Sequence, residues 1–168
     1  MMRVLKCVLS ILALGLAFCA ADAQTVSTDP GVTGIRYVTV LVRNYDEALA
    51  WYTDVLGLKK VEDRSFGPGR RWLVVAPEGK GQPGIVLEVP NSDGSKENRI
   101  GKETNWVFEV VDCGKFYDSL RAHGVHFIDP PKRQPWGTVQ AVFEDPYGNI
   151  FVAESQTPAK TANHPDSQ

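Results

Sequence analysis

Hydrophobic and polar positions along this chain follow one order twice. Residues 35–42 (Ile-Arg-Tyr-Val-Thr-Val-Leu-Val) alternate as a strand does, with Val38, Val40 and Val42 forming one apolar face. A polar break at Asn44 follows, and then Ala48, Trp51, Tyr52, Val55 and Leu56 recur at helical spacing until Gly57. Residues 105–110 (Asn-Trp-Val-Phe-Glu-Val) repeat the strand, Asp112 repeats the break, and Phe116 and Leu120 continue the stripe to Gly124. Ala48 corresponds to Phe116 and Tyr52 to Leu120 at one offset, and the two glycines align after a single-residue gap. Asn44 suits an N-cap, Asp46 and Glu47 a first turn, and Gly57 a C-cap. Two copies are too few for a solenoid. The pattern predicts two pseudo-equivalent modules packed together, with a site between them.

Further strands are expected at 58–62, 72–76 and 85–89 in the first copy and at 125–128, 139–143 and 150–154 in the second. The Gly/Pro-rich residues 77–84 and the Asp-Pro-Tyr-Gly-Asn of 145–149 read as turns between strands, the latter purely structural. Each copy is therefore β-α-β-β-β, an α+β fold in which two modules form a curved mixed sheet. The predicted domain covers 35–156, with module one at 35–90, a polar linker at 91–103 and module two at 104–156. Residues 24–34 read as a flexible tether and 157–168 as a disordered tail.

The first 23 residues change the expected location. Arg3 and Lys6 precede an apolar run over 7–20, and Ala21-Asp22-Ala23 supplies a small-x-small cleavage site. This is the pattern of a signal peptide, and the run is short for a membrane span. The mature chain is expected to be exported, periplasmic or secreted, with no membrane attachment after cleavage. Cys7 and Cys19 leave with that peptide, so Cys113 remains alone and no disulfide framework is expected. A net charge of -2 and a pI near 5.9 give no electrostatic case for nucleic acid.

Residues 48–58 (Ala-Leu-Ala-Trp-Tyr-Thr-Asp-Val-Leu-Gly-Leu) and 143–149 (Phe-Glu-Asp-Pro-Tyr-Gly-Asn), in this order on a duplicated frame, resemble the vicinal oxygen chelate superfamily of glyoxalase I, bleomycin-resistance proteins and extradiol dioxygenases. The resemblance implies sheets curled into a cup around a small ligand. It also implies, for the enzymatic members, a divalent metal held by a histidine opening each module's first strand and a carboxylate near the end of each last strand. Here Tyr37 and Asn105 stand at the histidine positions and Val152 at one carboxylate position, which leaves Glu88 as the only matching ligand. No metal cofactor is expected. His123, His126 and His164 match no ligand position.

Parity aims Tyr37, Thr39, Leu41, Glu88, Asn105, Val107, Glu109, Gln140, Val142, Val152 and Glu154 at the cup, with Trp136 as an aromatic wall or lid. The expected function is binding of a small amphipathic organic molecule by Tyr37, Thr39, Asn105, Trp136, Gln140 and Glu154 in a metal-free cup. The alternative is a lyase, isomerase or dioxygenase that uses Glu88 as base or a rearranged metal site drawing on Glu154. The chain is expected to be a homodimer or a compact two-module monomer.

Overall fold

The computed structural model describes residues 32–91, 94 and 96–156, so the expected signal peptide, nearly all of the expected tether, part of the expected linker and the expected tail lie outside the described residues. The first module runs β1 (Tyr37–Leu41), α1 (Tyr45–Ala50), a π-helical turn (Trp51–Val55), β2 (Lys59–Ser65), β3 (Arg71–Ala76) and β4 (Gly84–Glu88). A 3-10 turn (Glu97–Arg99) leads into β5 (Glu103–Glu109), α2 (Cys113–Ala122), β6 (Phe127–Arg133), β7 (Thr138–Glu144) and β8 (Ile150–Gln156). Two four-stranded mixed sheets result, ordered β1-β4-β3-β2 and β5-β8-β7-β6. In each, the first strand pairs parallel to the last and the other pairs are antiparallel. The α+β fold and the duplicated module are as expected from the pattern.

The first helix starts on the predicted cap, and the second on Asp112, its counterpart in the repeat. Asn44 Oδ1 accepts from the backbone N–H of Asp46 and Glu47 at 2.9 and 3.2 Å, and Asp112 Oδ1 accepts from Gly114 and Lys115 at 2.9 and 3.0 Å. Both helical segments end on a glycine of positive φ, Gly57 at 81° and Gly124 at 78°. The single-residue gap between the copies has a structural counterpart. The longer span from Asn44 to Gly57 contains the wider π-helical turn, which takes up one extra residue while keeping Ala48 and Tyr52 on the buried face.

Val40, Val42, Leu73, Val75, Ile85 and Leu87 bury one face of the first sheet, and Ala141, Phe143, Phe151 and Ala153 bury the matching face of the second. Phe143 and Phe151 are fully buried, their ring centroids 5.7 Å apart. The modules lock through the turn 145–149. Asp145, only 4% exposed, accepts from Tyr52 Oη on Oδ2 at 2.8 Å. It also accepts from Asn149 Nδ2 and from the N–H groups of Tyr147 and Asn149 at 2.8–2.9 Å. Asn149 Nδ2 in turn donates to Leu41 O at 2.9 Å, and Tyr147 Oη donates to Asn44 O at 3.1 Å. Burial pushes the Tyr52 phenol well above its ordinary pKa, and the Asp145 charge adds to that. Burial also raises the Asp145 carboxyl, while its bonds to Asn149, Tyr52 and Tyr147 pull it back. Gly101 (φ 73°) brings the linker against this turn, where a Cβ would stand 2.8 Å from Tyr147 O.

One strand differs from the pattern. The expected strand at 125–128 is β6, running Phe127–Arg133 through Pro130 and Pro131. Prolines are tolerated because β6 is an edge strand and its pairing with β7 is shifted twice, between Phe127 and Asp129 and between Asp129 and Lys132.

Candidate functional site

The face of each sheet turned away from its helix carries the predicted cup residues, and strand register fixes how the two faces correspond. Leu41 lies opposite Glu88 and Glu109 opposite Glu154; Val42 N and Val110 N donate to the carbonyls of Glu88 and Glu154 at 2.9 and 2.8 Å. Glu88 and Glu154 are therefore internal equivalents, as are Val86 and Val152 (opposite Thr39 and Val107). This corrects the sequence-based pairing of Glu88 with Val152, which a two-residue offset between the copies had hidden. The resemblance puts a carboxylate near the end of each last strand, and by this register the equivalent pair there is either Glu88 with Glu154 or Val86 with Val152. With Tyr37 and Asn105 at the histidine positions, neither pair completes the usual set of imidazole and carboxylate ligands. Among the described residues no three His, Cys, Asp or Glu side chains gather to hold one.

On the first module, Tyr37 Oη donates to Glu62 Oε1 at 2.6 Å, and its ring meets Trp72 edge-on at 5.4 Å. The Tyr37 bond, with the Arg64 and Arg36 charges and Trp72 as further causes, holds the Glu62 carboxyl below its ordinary range. Gly84 makes room for that ring, because a Cβ there would lie 2.9 Å from Tyr37 Cδ1 and 2.7 Å from Val74 Cγ1. Glu88 accepts from Lys96 Nζ at 2.6 Å, so a substrate proton would compete with an ammonium for this carboxylate. Glu88, Trp72, Val86, Tyr45, Phe66 and Arg70 line a cavity of about 460 Å³ whose walls come from the first module and Asn91 at the start of the linker. Thr39 is exposed beside it.

On the second module, Glu154 Oε2 accepts from Gln140 Nε2 at 2.5 Å and from Thr138 Oγ1 at 3.0 Å. Those two bonds, with a smaller effect from the nearby Trp136 side chain, hold the Glu154 carboxyl below its usual range. Trp136 is 65% exposed and stands near this carboxylate with most of its surface open to solvent. Asn105 is exposed and has a φ of 56°, at the register shift between Glu103 and Trp106. Trp136, Gln140 and Glu154 are thus brought together, and Asn105 is not among the donors to Glu154.

Three participants escaped the sequence reading. Glu62 shares its face with Tyr37, a relation that strand alternation on β2 hides because a bulge between Lys60 and Glu62 resets the register. Lys96 lies in the linker and has no local signal. Thr138 carries the parity of Gln140, which would have found it. Cys113 is buried, its thiol raised by that burial, with Sγ directed at Ala153 O at 3.8 Å, which suits packing and not nucleophilic attack.

The sequence model of the Glyoxalase/Bleomycin resistance protein/Dioxygenase superfamily matches residues 34–152. The chain belongs to that superfamily. A crystal structure of a superfamily member from Sphaerobacter thermophilus is 31% identical with a TM-score of 0.67, covering 74% of this chain and 98% of that one. TnmS3, an antibiotic binding protein from Streptomyces sp. CB03234, is 27% identical with a TM-score of 0.63, covering 76% of this chain and 98% of TnmS3. An uncharacterized protein of Shewanella frigidimarina is 31% identical over 121 residues, 70% of this chain and 89% of its own length. The fold and the superfamily agree with the resemblance carried by the two motifs.

Proposed function

We propose that this superfamily member is a binding protein that holds a small amphipathic organic molecule in its cup without a metal. The observation that carries the reading is the Trp136–Gln140–Thr138–Glu154 cluster. There an exposed indole stands beside a carboxylate whose orientation is already fixed by neutral donors. Such a site offers an apolar wall and one charged acceptor, the combination that orients an amphipathic ligand. The antibiotic-binding character of TnmS3 supports the same class of ligand. Chemistry through Glu88 is the weaker reading, because Lys96 already occupies that carboxylate.

The Glu88 cavity is walled by the first module and Asn91, with no residue of the second module. In the proposed assembly, two copies form a homodimer in which the second module of one copy faces this cavity in the other, so that one cup combines Tyr37, Thr39 and Glu88 with Asn105, Trp136, Gln140 and Glu154. Export is proposed from the Arg3/Lys6 start, the apolar run and Ala21-Asp22-Ala23.

One preparation tests all three. Mature protein taken from the periplasm or medium should begin near Gln24 and sediment as a dimer. It should show a concentration-dependent rise in Tm with at least one member of a panel of amphipathic aromatic compounds. Absence of any such rise would remove the binding reading. A monomer would remove the shared cup, and an intact Met1 in the cytoplasm would remove export.

A further inference from the structure

The two modules are internal equivalents, yet their turns treat the junction between modules differently. Residues 145–149 of the second module seal it against the end of β1, through Asp145 to Tyr52, Asn149 to Leu41 O and Tyr147 to Asn44 O. The equivalent turn of the first module, residues 77–83, faces the end of β5. It is longer and has Pro77 where the second has Asp145, and Pro83 where the second has Asn149. Prolines supply neither the carboxylate nor the amide that anchors the sealed side. The residue equivalent to Tyr52 is Leu120, which carries no hydroxyl. The Asp145 carboxylate, the Asn149 amide and the Tyr52 hydroxyl of the sealed junction are thus missing from its counterpart.

A cavity of about 600 Å³ opens where the seal is absent. Val38, Ile85, Trp106, Phe108 and Val110 give it an apolar and aromatic wall, and Val111 at its edge is fully exposed. The charged residues lining it are Glu78, from the turn, and Glu109, from β5, both acidic and both exposed. Its volume falls in the range of small-molecule sites, and an aromatic wall beside two carboxylates complements an apolar body that carries one cation.

We infer that this unsealed junction is a second ligand site, distinct from the Trp136–Glu154 cluster, that binds small organic amines with an aromatic or aliphatic body. The apolar part lies against Trp106, Phe108 and Val110 while the ammonium sits between Glu78 and Glu109. A neutral molecule of the same shape gains only the apolar contact, and an anionic one meets two like charges. The site is thus selective for charge at its rim and tolerant of shape within. It does not depend on the cup reading, since no residue of the Trp136–Glu154 cluster lines it.

Isothermal titration with 2-phenylethylamine, 2-phenylethanol and 3-phenylpropionate tests the assignment on the full mature protein. The amine should bind roughly tenfold more tightly than the alcohol, the order expected when two partly exposed carboxylates act on one cation. The propionate should bind weakest. The double variant Glu78→Gln/Glu109→Gln should reduce the amine to the affinity of the alcohol, and Trp136→Ala should leave the preference unchanged. A nitrogen-15 correlation spectrum should place the amine's perturbations at 78–82 and 106–111. Equal binding of amine and alcohol, binding of neither, or a preference lost in Trp136→Ala and kept in the double variant would each overturn the inference.

Discussion

Replacing Asp145 with alanine should remove about 3–5 kcal/mol of folding stability, the cost of taking one partner from a buried, charge-assisted network. Asp145 accepts from four donors, namely Tyr52 Oη, Asn149 Nδ2 and the N–H groups of Tyr147 and Asn149. Alanine leaves the fully buried Tyr52 hydroxyl without its acceptor and the two N–H groups without the group that shapes the turn. The same turn carries Asn149 to Leu41 O and Tyr147 to Asn44 O, so a loosened turn releases the grip of one module on the other. Desolvation of the carboxylate, visible as its raised pKa, opposes this network and keeps the expected loss below the sum of its bonds. Tyr52→Phe removes one donor and leaves Asp145 three, so its cost should be about 1 kcal/mol. Urea denaturation of both variants checks the contrast. A loss under about 1 kcal/mol for Asp145→Ala would mean that the junction is held elsewhere.

Trp136→Ala should weaken the cup ligand by about 1–3 kcal/mol, the order for losing an aromatic wall. The indole is mostly exposed in the free chain, so burial against a ligand adds contact area without displacing a packed neighbour. It already stands near Glu154, whose carboxylate Gln140 holds in place, so little rearrangement of the carboxylate accompanies binding. Because Trp136 contributes little to the described core, its removal should leave the urea midpoint close to that of the wild type. Titration of one thermal-shift hit into both proteins makes the comparison. Unchanged affinity in Trp136→Ala and in Asn105→Leu would place the site away from the cup.

Local patterns carried most of the fold. Alternation placed Val38, Val40, Trp106 and Phe108 toward the core, Asn44 capped α1, and the turn 145–149 proved structural. These features depend on neighbours close in sequence or on a strict period, so they are legible in one chain. Partner choice is not. Parity turns Tyr37 away from the helix but does not say that Glu62, across the sheet, takes its hydroxyl. Likewise nothing local assigns Lys96 to Glu88. The equivalence of Glu88 and Glu154 emerged only from the β1–β4 and β5–β8 registers, which join residues far apart in the chain. The cluster at Glu154 was partly readable, since Gln140 and Glu154 share a face. The approach of Trp136 to Glu154 depends on how the loop before β7 folds back.

The central claim is that the cup binds its ligand without a metal, and one titration addresses it most directly. A hit from the thermal-shift panel is titrated calorimetrically into protein dialysed against a chelator, and again after addition of zinc, nickel, manganese or iron(II). The account predicts the same affinity in all cases, saturable binding and recovery of the ligand chemically unchanged. Binding that appears only when a divalent ion is restored, or conversion of the ligand to a product, would contradict it.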